Sequence, residues 1–114
     1  MAMHELRISV DVRPGAAVVA VVGDVSAVNI DPFRKGLADA IARKHPRTVV
    51  DLSQTTFLSS PGLAVLVQGL QLSKRGGSQL YLAAANDRVR GIFEIARLTE
   101  VFLMVPTVDA ALEA

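Results

Sequence analysis

The amino-acid sequence predicts an α/β fold in a single domain spanning residues 1–114, with a four- to five-stranded mixed sheet and helices packed mainly on one face. Two patterns carry this reading. The chain opens on period-two alternation, a turn and a β-branched run, which together make a hairpin. Three strand–helix alternations follow, the pattern of parallel strands joined by right-handed crossovers. The 114 residues fit one domain and can bury about two thirds of the unfolded surface without metals or disulfides.

In the first strand Leu6, Ile8, Val10 and Val12 alternate with Arg7, Ser9, Asp11 and Arg13, predicting one covered face. Pro14-Gly15 is a turn, and the apolar run Ala17 to Val22 stops at Gly23. Asp31-Pro32 predicts a helix start with Asp as N-cap and Pro at the first helical position, and Ile30, Phe33, Leu37 and Ile41 then repeat at helical spacing. Pro46 places the end of that helix near Lys44. Thr48 to Leu52 reads as a short buried strand, and Ser59-Ser60-Pro61 opens a second helix. Its stripe Leu63, Leu66, Val67 and Leu70 runs to about Arg75, where Gly76-Gly77 ends it. Leu80 to Ala84 is a strand, and Asn86 or Asp87 caps a helix carrying Val89, Ile92, Phe93 and Ala96. Val101 to Val105 is the last strand, with a short helix after Pro106.

Composition excludes several classes. At 51% hydrophobic and 20% charged residues the chain is too apolar for a disordered segment, and the absence of cysteine excludes a disulfide-stapled fold. A formal charge of +1 argues against nucleic acid as a partner. No apolar run approaches the about 18 residues of a membrane span and no signal-peptide core is present, so no membrane partner is expected and the expected location is cytoplasmic.

The supply of catalytic groups is thin. His4 and His45, without cysteine, make neither a zinc site nor a thiol nucleophile, and no metal or other cofactor is expected. Gly15, Gly23, Gly76 and Gly77 fall at turns and form no phosphate-binding loop. The cluster Arg43, Lys44, His45 and Arg47 reads as a solvated helix end, where cations complement the macrodipole.

The informative segment runs from Val49 to Leu66: a strand, a polar turn, an apolar pair Phe57-Leu58 anchoring that turn to the core, then a hydroxyl at a helix N-cap. A serine there is most often a cap worth about 1 kcal/mol. On the side of this helix opposite its core stripe lie Pro61, Val65, Gln68 and Leu72, with Gly69 alongside. Two large aliphatics pointing away from the stripe read either as a partner patch or as local burial under the C-terminal helix.

Phe57, Leu58, Ser60, Gly62, Leu63 and Ala64 match the pattern around the regulatory serine of the STAS domains, and the sequence resembles in particular the anti-sigma factor antagonists of bacterial partner-switching systems. Ser59 stands where that family often has Asp, and Pro61 where it often has Ser, Thr or Ala. Val21-Val22-Gly23-Asp24-Val25 is similar to the family's hydrophobic-Gly-Glu-Leu-Asp stretch, with Ser26 in place of the usual Asp. Lys74 to Gly77, and Arg88 to Leu98, resemble its helix-ending glycines and third helix. The resemblance implies a non-enzymatic phosphoprotein of transcription regulation. Its partner would be an anti-sigma factor that is also an ATPase-like serine kinase, and the switch admits a phosphatase. Ser60 maps onto the phosphoacceptor, Ser59 is the alternative acceptor, and Ser59, Ser60, Pro61, Gly62, Val65, Gln68, Leu72, Asp24 and Ser26 form the expected partner surface. The alternative is an unphosphorylated STAS module serving a lipid-transport complex or sensing a nucleotide or small ligand.

Overall fold

A computed structural model describes residues 6–114. His4 lies outside the described residues. The order is β1 (Arg7–Arg13), β2 (Ala16–Val25), a 3-10 turn (Ala27–Asn29), α1 (Ile30–Ala42), β3 (Arg47–Asp51), β4 (Thr55–Leu58), α2 (Ser60–Arg75), β5 (Gln79–Ala83), α3 (Asp87–Ile95), β6 (Leu103–Val105) and α4 (Val108–Glu113). The sheet runs β1-β2-β3-β5-β6, and β4 also pairs with β2. β1 is antiparallel to β2 and the other pairings are parallel.

The mixed sheet therefore has six strands, and the additional one is β4. β3 pairs with Ala16 to Ala20 of β2, and β4 resumes on the same edge at Gly23 to Val25. Between them the Asp51 carboxylate accepts the Ser53 N–H at 2.9 Å and the Leu52 carbonyl accepts the Thr55 N–H at 3.1 Å. A bulge between Gly23 and Asp24, with Gly23 at φ 114°, lets β2 continue beyond the glycine at which the apolar run stops. Because β4 is extended, Phe57 and Leu58 point in opposite directions. Leu58 is buried while Phe57 is 44% exposed, so only one of the expected pair anchors the segment.

α1, α2 and α3 cover one face, burying Phe33, Leu37, Leu66 and Phe93 against Val19, Val21, Val50, Leu80 and Leu82. Phe93 meets Phe102 edge to face at 5.8 Å. α4 covers part of the other face through Ala111, beside Val18, Val49, Tyr81 and Ala83. The face of β1 expected to be covered is only half so: Ile8 lies under α1 at Gly36, whereas Val10 and Val12 are 37% and 50% exposed.

The start of α1 shifts, whereas α3 starts at one of its two expected caps. α1 begins at Ile30 with Asn29 as N-cap, leaving Asp31 and Pro32 in its first turn, where Asp31 accepts from Arg34 at 2.6 Å. α3 is capped by Asn86, whose side chain accepts the Val89 N–H at 2.9 Å. At the end of α2, Gly77 adopts φ 76°, which an L side chain resists.

Candidate functional site

The N-terminus of α2 is held by three elements. The Val25 carbonyl accepts the Ser59 N–H at 2.9 Å, fixing the residue before the helix to the end of β2. The Thr55 hydroxyl donates to the Val21 carbonyl at 2.7 Å, and Asn86 Nδ2 donates to the Thr55 carbonyl at 3.1 Å, tying β4 to β2 on one side and to α3 on the other. Gly62 then seats the first turn of α2 directly on the sheet, since a Cβ there would lie 2.9 Å from Val25 Cγ1 and 3.2 Å from Leu58 Cδ2. Gly62 thus faces the core and does not open the surface to a partner.

The N-cap is Ser59, not Ser60. Ser59 is extended, its carbonyl accepts the Leu63 N–H at 3.0 Å, and its buried Oγ has no partner among the described residues. Ser60 is the first residue of the helix and is exposed, with Pro61 and Ala64 exposed beside it. With the Leu63 N–H engaged and Pro61 lacking one, the first-turn amides left for a ligand are those of Ser60 and Gly62.

Asp24 near the end of β2 and Ser26 just after it flank this point. Asp24 lies opposite Phe57, and its carboxylate accepts from the Thr56 hydroxyl. Asn29, which the sequence reading did not single out, latches the turn after β2: its Nδ2 donates to the Asp24 carbonyl at 2.9 Å and its Oδ1 accepts the Ser26 N–H at 2.8 Å. Val28, in the latched turn, is 91% exposed. The capping signal in Ser26-Ala27-Val28-Asn29 was open to sequence reading, whereas the exposure of Phe57 depends on β4.

The outward patch expected on α2 divides. Val65 is 3% exposed, and with Gln68, Gly69 and Leu72 it lines a groove against Arg34, Leu37 and Ala38 of α1. What buries Val65 is α1, not the C-terminal helix, which lies on the other face of the sheet. Gly69 makes that approach possible, because its Cβ would come 2.8 Å from Leu37 Cδ2. Leu72, at 42%, and Gln68 remain exposed.

The surface around Ser60 therefore offers a hydroxyl with the exposed apolar residues Phe57, Pro61 and Ala64 near it along the chain and the paired polar groups of Asp24 and Thr56 at the end of the sheet. Among the described residues no three His, Cys, Asp or Glu side chains cluster as metal ligands, and no helix is long and apolar enough to cross a membrane. The hydrogen bond and charge of Asp11 raise the Arg13 guanidinium above its ordinary value, at the hairpin rather than at this surface.

This fold, with its serine at the mouth of α2, is that of a STAS domain: residues 7–111 match that family, and the chain belongs to it. Among its relatives is a candidate anti-sigma factor antagonist of Bordetella bronchiseptica, BtrV, 25% identical over 109 residues that cover 96% of this chain and 94% of that protein. The crystal structure of an anti-sigma factor antagonist from Mycobacterium paratuberculosis superposes with a TM-score of 0.87 at 26% identity, over 96% of this chain and 92% of that one. The Bacillus cell fate determinant SpoIIAA in its phosphorylated form shares the fold, with a TM-score of 0.70 at 14% identity over 96% and 97% of the two chains.

Proposed function

We propose that this STAS domain is an anti-sigma factor antagonist, a non-enzymatic binding module whose grip on an anti-sigma factor kinase is released by phosphorylation of Ser60. The observation that carries the reading is the exposed Ser60 on the rigidly seated first turn of α2, with the exposed apolar residues Phe57, Pro61 and Ala64 near it along the chain. The names of the relatives from Bordetella bronchiseptica and Mycobacterium paratuberculosis support the function, and the fold shared with a protein known in a phosphorylated form supports the switch. Between the two candidate acceptors, exposure favours Ser60, because the Ser59 oxygen is buried.

Phosphate on Ser60 adds about −1.5 to −2 charges at pH 7. In the free domain that charge faces solvent and the positive end of the α2 dipole, so the fold tolerates it. In a complex it would be desolvated at the centre of an apolar contact, where an unpaired charge weakens binding. Phe57, Pro61 and Leu72 supply that contact, with Asp24 and Ser26 at its rim.

The test is phosphorylation by, and binding to, the cognate anti-sigma factor with ATP. Wild type is expected to gain one phosphate, on Ser60, and to lose the partner. Ser60→Ala is expected to stay unphosphorylated and bound, with stability within about 0.5 kcal/mol of wild type because this hydroxyl is not the cap. Ser60→Asp is expected to fold normally and bind weakly. Normal binding by Ser60→Asp, or absence of phosphate from both serines, would refute the switch and leave an unphosphorylated STAS module.

A further inference from the structure

We propose that the domain forms a twofold dimer by pairing β1 with β1 of a second copy, antiparallel and centred on Ser9, so that the two sheets become one.

The two ends of the sheet are built differently. β6 has three residues, and that shortness blunts its edge. β1 has seven, paired with β2 without a bulge from Arg7–Val22 to Arg13–Ala16, and it contains no proline or glycine. Among the described residues no strand lies on its outer edge. An edge this long and regular is a template for another strand.

The direction of its free hydrogen-bonding groups follows from β2. The Val21 carbonyl and the Gly23 N–H are bonded to β4 and the turn before it, on the side of β2 away from β1. The alternate residues Ala20 and Val22 therefore bond β1 at Ser9 and Arg7. The main-chain groups of Ile8, Val10 and Val12 consequently face outward.

Charge selects the register. Centring on Val10 would set Arg7 against Arg13 of the second copy. Centring on Ser9 sets Arg7 opposite Asp11 twice over, Ile8 opposite Val10, and Leu6 opposite Val12. Arg7 makes no ion pair among the described residues, while Asp11 uses one carboxylate oxygen on its own Arg13 at 2.7 Å. Arg7 and Asp11 would form non-hydrogen-bonded pairs, in which opposing side chains come closest. The same register carries the exposed Val10 and Val12 of each copy beside the partly buried Ile8 and Leu6 of the other, extending the apolar face that α1 covers only in part.

Sedimentation equilibrium of the full chain is expected to show reversible association toward twice the 12.1 kDa mass. Asp11→Arg turns two attractive cross-strand pairs into repulsive ones and is expected to weaken association about tenfold or more without changing the circular dichroism spectrum. Arg7→Asp combined with Asp11→Arg restores the pairs and is expected to restore the dimer. The chain contains no cysteine, so Ser9→Cys reports the register directly: opposed Cα atoms of about 4.5 Å separation permit a disulfide, and air oxidation is expected to link the copies. Asp11→Cys, four residues out of register with itself, is expected not to cross-link. A chain that stays monomeric at millimolar concentration, an Asp11→Arg variant that associates like wild type, or equal cross-linking of the two cysteine variants would overturn the proposal.

Discussion

Replacing Gly62 by alanine tests whether α2 is seated on the sheet as described. In a helix interior the exchange usually stabilises by about 0.8–1.0 kcal/mol. At Gly62 the new methyl group meets Val25 Cγ1 at 2.9 Å and Leu58 Cδ2 at 3.2 Å, and those side chains are 0% and 1% exposed. Val25 is also β-branched and stiff about χ1, so relief must come from movement of the helix. Overpacking of this kind costs about 1–3 kcal/mol. The propensity gain is smaller in a first turn, so the net loss is about 1–2 kcal/mol, a fall in Tm of roughly 4–10 °C for a domain of this size. Gly69→Ala meets the buried Leu37 Cδ2 at 2.8 Å and Ile41 Cδ1 at 3.4 Å. These are the flexible ends of long side chains and the helix-interior propensity gain offsets part of the contact, so this variant is expected to fall between Gly62→Ala and Gly91→Ala. Gly91→Ala in α3 meets nothing within 4 Å and is expected to raise Tm. Calorimetric melting of the three variants reads the order directly. A Gly62→Ala protein as stable as Gly91→Ala would refute the contact between α2 and the ends of β2 and β4.

Val65→Asp and Leu72→Glu separate the buried from the exposed part of the α2 patch: the first is expected to cost about 3 kcal/mol or more by placing a carboxylate under α1, and the second to stay within about 0.5 kcal/mol in denaturant titration. Asn29→Ala removes both bonds that latch the turn after β2 and is expected to destabilise by about 1–2 kcal/mol, with faster amide exchange at Ser26.

Periodicity alone determined much of this protein. The hairpin and the glycine stop after Arg75 are local features, set by side-chain spacing and backbone freedom within a few residues, and each appears where the pattern puts it. The core face of α2, by contrast, is rotated from the expected stripe: Leu66 and Leu70 are buried together with Gly62, Val65 and Gly69, and Leu63 and Val67 only partly. Helix boundaries were less legible, because residues next to or two apart from each other, such as Ser59 and Ser60, or Asn29 and Asp31, can each begin a helix. Which one caps depends on what holds the preceding residue, here the Val25 carbonyl for Ser59. β4 was hidden because a four-residue strand has too few positions to show alternation, and it exists through its pairing with β2 beyond a bulge. That Phe57 faces outward while Val65 faces α1 follows from how the elements pack. The physical reason is that a sequence pattern ranks residues by apolarity, whereas burial is a relation between elements. Leu72 and Val65 are equivalent on the helical wheel of α2, but α1 covers one of them and leaves the other exposed.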